Sequence, residues 1–135
     1  MNEQDIIELN STVKVKLAPS QIHGIGIIAL RDIEKGEKIH CIPREPKWYK
    51  IPYGSLGKLF PEIKELILER WGSIVNGSHF HSPNDDQWLI LFMNHSDNPN
   101  YDKITDSATE DIRKGEEITS NYRLMENYQK AFPWL

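Results

Sequence analysis

One phrase of eight residues occurs twice in this chain. Asp32-Ile33-Glu34-Lys35-Gly36-Glu37-Lys38-Ile39 returns as Asp111-Ile112-Arg113-Lys114-Gly115-Glu116-Glu117-Ile118. Each copy sets a Lys-Gly turn between apolar residues and leads into strand-like sequence. Glycine there supplies the positive φ that such a turn needs, and the flanking isoleucines pin it to a core. Two copies are too few and too far apart for a stacked solenoid. They predict two similar strand connections within one fold. A chain of 135 residues has room for one compact domain with one core.

The segments around the two turns read mostly as short strands. Thr12 to Leu17 alternates apolar and polar residues, the period of a half-buried strand, and Ala18-Pro19-Ser20-Gln21 breaks it. Ile22-His23-Gly24-Ile25-Gly26-Ile27-Ile28-Ala29-Leu30 is an apolar strand opened by a glycine pair. Such a pair serves a bulge, or lets backbone approach a ligand closely. The dinucleotide-binding fingerprint does not fit, since the third glycine is missing and a strand follows where a helix is needed. Ile42 to Gly54 is rich in proline, aromatics and lysine and reads as an irregular loop or insert. Leu59, Ile63, Leu66, Ile67 and Trp71 recur at helical spacing, with Pro61 near the start and Gly72 as a plausible stop. This predicts a helix over Leu59 to Trp71. The pattern as a whole predicts a mainly β domain with minor α, an α+β fold.

Composition narrows the function. The balance of 39% hydrophobic and 27% charged residues is that of an ordinary soluble domain. A net charge of −4 argues against a nucleic-acid surface and suits a basic partner. Cys41 is the single cysteine, which excludes an intramolecular disulfide and a cysteine-clustered zinc site. A reduced, intracellular setting is expected, cytoplasmic, or nuclear if the source is eukaryotic or viral. No apolar run reaches membrane-span length, and the acidic, polar stretch Met1 to Asn10 does not read as a secretory signal.

Polar chemistry concentrates after an apolar run. Trp88 to Met93 leads into Asn94-His95-Ser96-Asp97-Asn98-Pro99-Asn100, an amide, an imidazole, a hydroxyl and a carboxylate in succession. It reads either as a polar turn closing a buried strand or as one wall of a small-molecule site. Val75 to Gln87 is polar and turn-rich. His79, His81, Asp85 and Asp86 there could touch a metal, but a solvated loop is the better reading, and no metal is expected. Short strand-like pieces near Tyr101 and Ala108 precede Glu117-Ile118-Thr119-Ser120-Asn121-Tyr122. The tail, Arg123 to Leu135, carries Tyr128, Phe132 and Trp134. It has room for a short helix before Pro133.

Four pieces stand in order: His23-Gly24-Ile25-Gly26, the two Asp-Ile-x-Lys-Gly-Glu turns, Asn94-His95-Ser96 with Pro99-Asn100, and Gly115-Glu116-Glu117-Ile118-Thr119-Ser120-Asn121-Tyr122. Together they resemble the SET domain, the family of S-adenosylmethionine-dependent protein lysine methyltransferases. The resemblance spans about residues 12 to 123, with an insert at about 43 to 87, an N-terminal extension of residues 1 to 11 and a closing segment of 124 to 135.

The resemblance implies a β-clip fold of short curved sheets with a C-terminal pseudoknot, which would bring Asn94-His95 beside Tyr122. It implies an S-adenosylmethionine cleft between the loop of His23, Gly24, Ile25 and Gly26 and the Asn94-His95 segment. Asn94 would bond the methionine moiety and the main chain at His95 the adenine edge. Tyr122 matches the family's catalytic tyrosine, and Phe132 or Trp134 would close over the adenine or the lysine channel. The implied partner is a lysine-bearing protein segment such as a basic tail. A second copy could complete the groove of so short a chain.

The chain departs from the family pattern in three ways. Asp97 stands where many members carry cysteine, the flanking zinc-binding cysteines are absent, and Ser120 replaces an aromatic that limits methylation number. A small residue at Ser120 leaves room for higher methylation states. Two other readings remain: a SET-like module that binds without catalysis, and a metal-assisted hydrolase built on His79, His81, His95 and nearby aspartates.

Overall fold

A computed structural model describes residues 3–42, 48–50, 52–71, 79–81, 89–125 and 127–135. The chain opens with helix α1, Glu3–Thr12. Strands β1, Val15–Pro19, and β2, Ile25–Ala29, follow. Strand β3 is Trp48–Lys50, and a 3₁₀ turn at Tyr53–Lys58 precedes helix α2, Pro61–Trp71. Strand β4 is His79–His81, and a second 3₁₀ turn spans Leu89–Phe92. Strands β5, Asn94–His95, β6, Tyr101–Asp102, β7, Ser107–Ala108, and β8, Glu117–Ser120, come next. A 3₁₀ turn at Tyr122–Leu124 leads to the short helix α3, Tyr128–Ala131.

The principal sheet has the order β1-β2-β8-β5. Strands β1 and β2 are antiparallel, with Val15 opposite Ala29 and Pro19 opposite Ile25. Pro19 is tolerated because β1 is an edge strand, where a missing N–H breaks no ladder. Strand β8 runs antiparallel to β2 and parallel to β5, with Asn94 opposite Thr119 and His95 opposite Ser120. The last strand of the chain thus slots between an N-terminal strand and the polar knot. Asn100 reinforces the slot like a piece of backbone. Its amide donates to the Glu117 carbonyl at 2.8 Å, and its Oδ1 accepts the Thr119 N–H at 2.8 Å.

The two echoed turns pack against each other with near two-fold symmetry. Ile33 and Ile112 exchange both backbone hydrogen bonds, at 2.7 and 2.8 Å. Gly36 N–H donates to the Ala108 carbonyl and Gly115 N–H to the Ala29 carbonyl. Asp32 accepts from Lys114 N–H at 2.8 Å, and Asp111 accepts from Lys35 N–H at 2.9 Å. Gly36 and Gly115 have φ of 86° and 89°, as the sequence predicted. What the sequence did not reveal is that one copy is the partner of the other.

Two apolar clusters form the core. One gathers Val15, Ile27, Ile33, Ile39, Leu89, Met93, Ile112 and Ile118 around the sheet and turns. The other joins α1 to α2 through Ile6, Leu9, Val13, Leu59, Ile63, Leu66 and Ile67. The expected helix is therefore present, beginning at Pro61, where the missing proline N–H is free of cost. Residues of the expected N-terminal extension form α1, which packs into this second cluster. Ile6 and Leu9 are the buried residues of α1 and Val13 follows directly after its end, and each fully buried aliphatic contributes about 1.5–3 kcal/mol over exposure. Asn10 locks the two helices together, donating to the Lys58 carbonyl and accepting from Phe60 N–H at 2.8 Å. Arg31 covers the freed carbonyls of Asn10 and Ser11 at the end of α1, as the negative helix end favours.

Three other expectations change. The first strand starts at Val15, because α1 takes Thr12, and it runs on through Ala18 to Pro19. The irregular reading of residues 42–54 and the loop reading of 75–87 give way, in part, to a two-stranded ribbon. Tyr49 pairs with Phe80 between flanking pairs Trp48–His81 and Lys50–His79. The apolar run before the knot is a 3₁₀ turn rather than a buried strand. Leu89 and Met93 are buried, but Leu91 is 78% exposed. Gly72, Val75, Asp85, Asp86 and Trp88 lie outside the described residues.

Candidate active site

The site is assembled where β2, β5 and β8 meet. Ser20 turns the chain out of β1, and its hydroxyl accepts the N–H groups of Ile22 at 2.9 Å and His23 at 3.2 Å. That turn presents the backbone of His23 and Gly24, and Gly24 takes the left-handed conformation at φ 50°. Gly26 is required for a different reason. A Cβ there would sit 2.7 Å from Glu117 Oε2 and 3.1 Å from Asn94 Nδ2. The backbone of β2 must pass that close for the two side chains to reach the loop.

Asn94 is buried, and its amide nitrogen lies among four acceptors. These are Ser20 Oγ at 3.0 Å, the His23 carbonyl at 3.0 Å, the Ile25 carbonyl at 3.3 Å and Glu117 Oε2 at 2.9 Å. Glu117 Oε1 accepts from Ser20 Oγ at 2.6 Å. Asn94 and Glu117 therefore bind the glycine loop to the central strands through Ser20 and two loop carbonyls. Ser20 and Glu117 were not among the site residues expected from sequence. Proline-serine turn chemistry hinted at Ser20. Glu117 sits in the echoed turn, where a structural reading absorbed it.

Tyr122 stands just beyond β8. Its hydroxyl donates to the Met93 carbonyl and its backbone N–H to His95 Nδ1 at 3.0 Å. Burial, reinforced by the nearby Glu117 charge, raises its phenol above the ordinary tyrosine value. The phenol is therefore a persistent proton donor rather than a base. The Tyr122 ring lies 5.3 Å from that of His95 and 4.6 Å from that of Phe132. Trp134 sits edge-on to Phe132 at 5.3 Å and is 74% exposed. The tail thus lays an aromatic file over Tyr122, with Phe132 in contact and Trp134 outermost.

The His95 ring also meets Asp97 Oδ1 at 3.0 Å, and Asp97 pairs with Arg123. Tyr122 also borders a cleft of about 580 Å³, whose walls include Ile90, Leu91, Tyr101, Ser120 and Leu124. Ser120, the last residue of β8 and two before Tyr122, borders this space without an aromatic ring to fill it.

The fold therefore brings His23, Ile25, Asn94, His95 and Tyr122 together within two linked hydrogen-bond clusters, with Gly26 passing close to Asn94 and Glu117. Gly24 shapes the loop, and Trp134 packs edge-on against Phe132. Among the described residues, no three potential ligands gather as a metal site. His95 Nδ1 is engaged by Tyr122, and the side chains of His79 and His81 lie outside the description.

The sequence model of the SET domain matches residues 24–123. No curated protein sequence matches the chain. Among solved structures, the chain is similar to a candidate histone methyltransferase of Plasmodium falciparum. Identity there is 23% and the TM-score 0.41, over 82% of this chain and 94% of that one. It is also similar to a chain of an apo ctPRC2 assembly bearing two substitutions in Ezh2, at 21% identity and a TM-score of 0.43. That match covers 89% of this chain and only 16% of the other.

Proposed function

The chain belongs to the SET domain family, a family of methyltransferases, and on that premise we propose that it methylates lysine ε-amino groups in a protein, using S-adenosylmethionine. The observation that carries this reading is the convergence of residues distant in sequence. Asn94 reaches the His23 carbonyl at 3.0 Å, while its neighbour His95 takes the Tyr122 N–H at 3.0 Å. One two-residue strand thereby connects the glycine loop to the tyrosine.

The residues suit the cofactor by their chemistry. The loop of His23, Gly24, Ile25 and Gly26 offers carbonyl acceptors for an ammonium group, with the Glu117 carboxylate behind them. Exposed Ile22, Ile25 and Trp134 offer apolar and aromatic surface for a base, and the faces of Tyr122 and Phe132 suit a cationic sulfur. In this reading Asn94 orients the loop and the His95 main chain meets the adenine edge. When bound, the cofactor supplies a methyl group activated on a sulfonium.

The chain's own residues do the rest. A lysine amine, whose ordinary pKa is about 10.4, must arrive neutral to expose a lone pair. The apolar walls of the cleft, Ile90, Leu91 and Leu124, favour that form by desolvation. Tyr122 keeps its proton, so its oxygen acts by position and dipole, fixing the line of approach rather than taking a proton. Its tie to the Met93 carbonyl aims the hydroxyl. Ser120 leaves space beside the amine for added methyl groups.

The test is incubation of the protein with labelled S-adenosylmethionine in host lysate, followed by mass spectrometry of the labelled protein. Label on lysine is the expected result. Cofactor binding by calorimetry with no transfer to any protein would instead make the chain a binding module.

A further inference from the structure

The geometry points to Asp97 and Arg123 as positioning residues for Tyr122, acting through the tautomer of His95. The inference goes deeper into the site just proposed, but it stands on a closed ring of contacts. Tyr122 N–H donates to His95 Nδ1 at 3.0 Å. Nδ1 must then carry a lone pair, so the ring proton sits on Nε2. Nε2 in turn lies 3.0 Å from Asp97 Oδ1, which accepts that proton's hydrogen bond. The same carboxylate oxygen takes the Arg123 guanidinium, and Arg123 directly follows Tyr122 in the chain. The ring therefore runs from Tyr122 to His95, to Asp97, to Arg123 and back through one peptide bond.

Each member closes one freedom. Asp97 selects the tautomer, because a carboxylate facing Nε2 favours a proton there. The tautomer makes Nδ1 an acceptor, which holds the Tyr122 backbone. The Arg123 side chain holds the following residue to the same carboxylate, and Arg123 N–H is capped by Asn121 Oδ1 at 3.0 Å. Tyr122 is thus fixed at its N–H, at its neighbour and at its hydroxyl. With the other tautomer, Nδ1–H would oppose the Tyr122 N–H and the turn would have to open.

The tie is not a stability device. The side chains of Asp97 and Arg123 are 65% and 40% exposed, and exposed ion pairs add little to folding stability. Orientation is what remains for it to supply. The tie fastens the C-terminal segment to the polar knot, through a guanidinium on the residue directly after Tyr122 and a carboxylate two residues after His95.

The decisive measurement is imidazole nitrogen NMR on the labelled protein, with amide exchange at Tyr122, in wild type, Asp97→Asn, Asp97→Ala and Arg123→Ala. Wild type should show one His95 tautomer, protonated at Nε2, and a protected Tyr122 amide. Asp97→Asn should keep that tautomer, because its amide oxygen still accepts from Nε2. Asp97→Ala should mix the tautomers and speed exchange at Tyr122, and Arg123→Ala should speed that exchange alone. Melting temperatures should stay close to wild type. On a substrate found by the labelling experiment, kcat of Asp97→Ala should fall about 10- to 100-fold with cofactor affinity unchanged.

A wild-type ring protonated at Nδ1 overturns the proposal. So does an Asp97→Ala protein that only melts lower, with tautomer and Tyr122 amide untouched. Neither readout requires methyl transfer, so a failure of the enzymatic reading would show separately, as absence of label.

Discussion

The Asn94 amide nitrogen lies 2.9 Å from Glu117 Oε2, and the Cα of Gly26 passes so close to both side chains that a methyl group there would overlap the carboxylate. This contact joins β5 to β8 and holds the glycine loop by its carbonyls. It places the loop under the control of two residues that the sequence separates from it by most of the chain.

Gly26→Ala should therefore destabilise the protein by about 1–3 kcal/mol, the usual cost of overpacking a filled site. The Glu117 carboxylate cannot simply swing aside, because Ser20 and Asn94 both hold it. Thermal or urea unfolding checks this. The double variant Gly26→Ala with Glu117→Ala should lose less than the sum of the two single losses, since the clash goes with the carboxylate.

Asn94→Ala should weaken S-adenosylmethionine binding in calorimetry. It should also cost stability, because the His23 and Ile25 carbonyls lose the amide that ties them. Unchanged cofactor affinity would remove Asn94 from the proposed site.

Tyr122→Phe should retain cofactor binding and lose most turnover, by about 100-fold or more, as expected when a preorganised hydroxyl is deleted from a reacting centre. Full activity in that variant would falsify the assignment of Tyr122.

Ser120→Phe should shift the product toward monomethyl-lysine. Ser120 borders the cleft beside Tyr122, and an aromatic ring would fill the room that further methyl groups need. Product mass after long incubation reports the change.

The pH dependence has two limbs. The hydrogen bond from His95, helped by the Arg123 charge, holds the Asp97 carboxyl below the ordinary carboxylate value. Burial alone would raise Glu37, but the hydrogen bond and charge of Lys14 outweigh it and hold that carboxyl below its ordinary value too. The Glu37 contribution to stability is complete above the ordinary carboxylate range and fades as pH falls through the depressed value, whereas protonation of the exposed Asp97 releases the tie to His95 and Arg123 with little change in melting. Tyr122 works in the opposite sense. Its raised phenol keeps its proton past the ordinary tyrosine value, so activity should not fall through loss of that proton as pH climbs to about 10. A pH–rate profile with a parallel melting series separates the limbs.

The sequence by itself determined the elements whose cause is local. Gly36 and Gly115 adopt the positive φ that their turns demanded, and α2 starts at the proline that marks it. The order of the four motifs carried the family. It failed where a pattern was short or shared between faces. The Ile6 and Leu9 stripe of α1 was overlooked beneath an acidic, polar composition, and the three-residue strands β3 and β4 offered too few residues for a period.

Tertiary structure alone decided the rest. No local rule says that Asp32 caps the turn of Lys114 while Asp111 caps the turn of Lys35. No spacing shows that Ser20, Asn94 and Glu117 meet, or that Asp97 reaches Arg123. Those contacts exist because β8 enters between β2 and β5, and that insertion follows from the burial of Ile27, Met93, Ile112 and Ile118 in one cluster. Local chemistry named the parts of the site. Burial of sequence-distant apolar residues, which no single stretch encodes, set the distances between them.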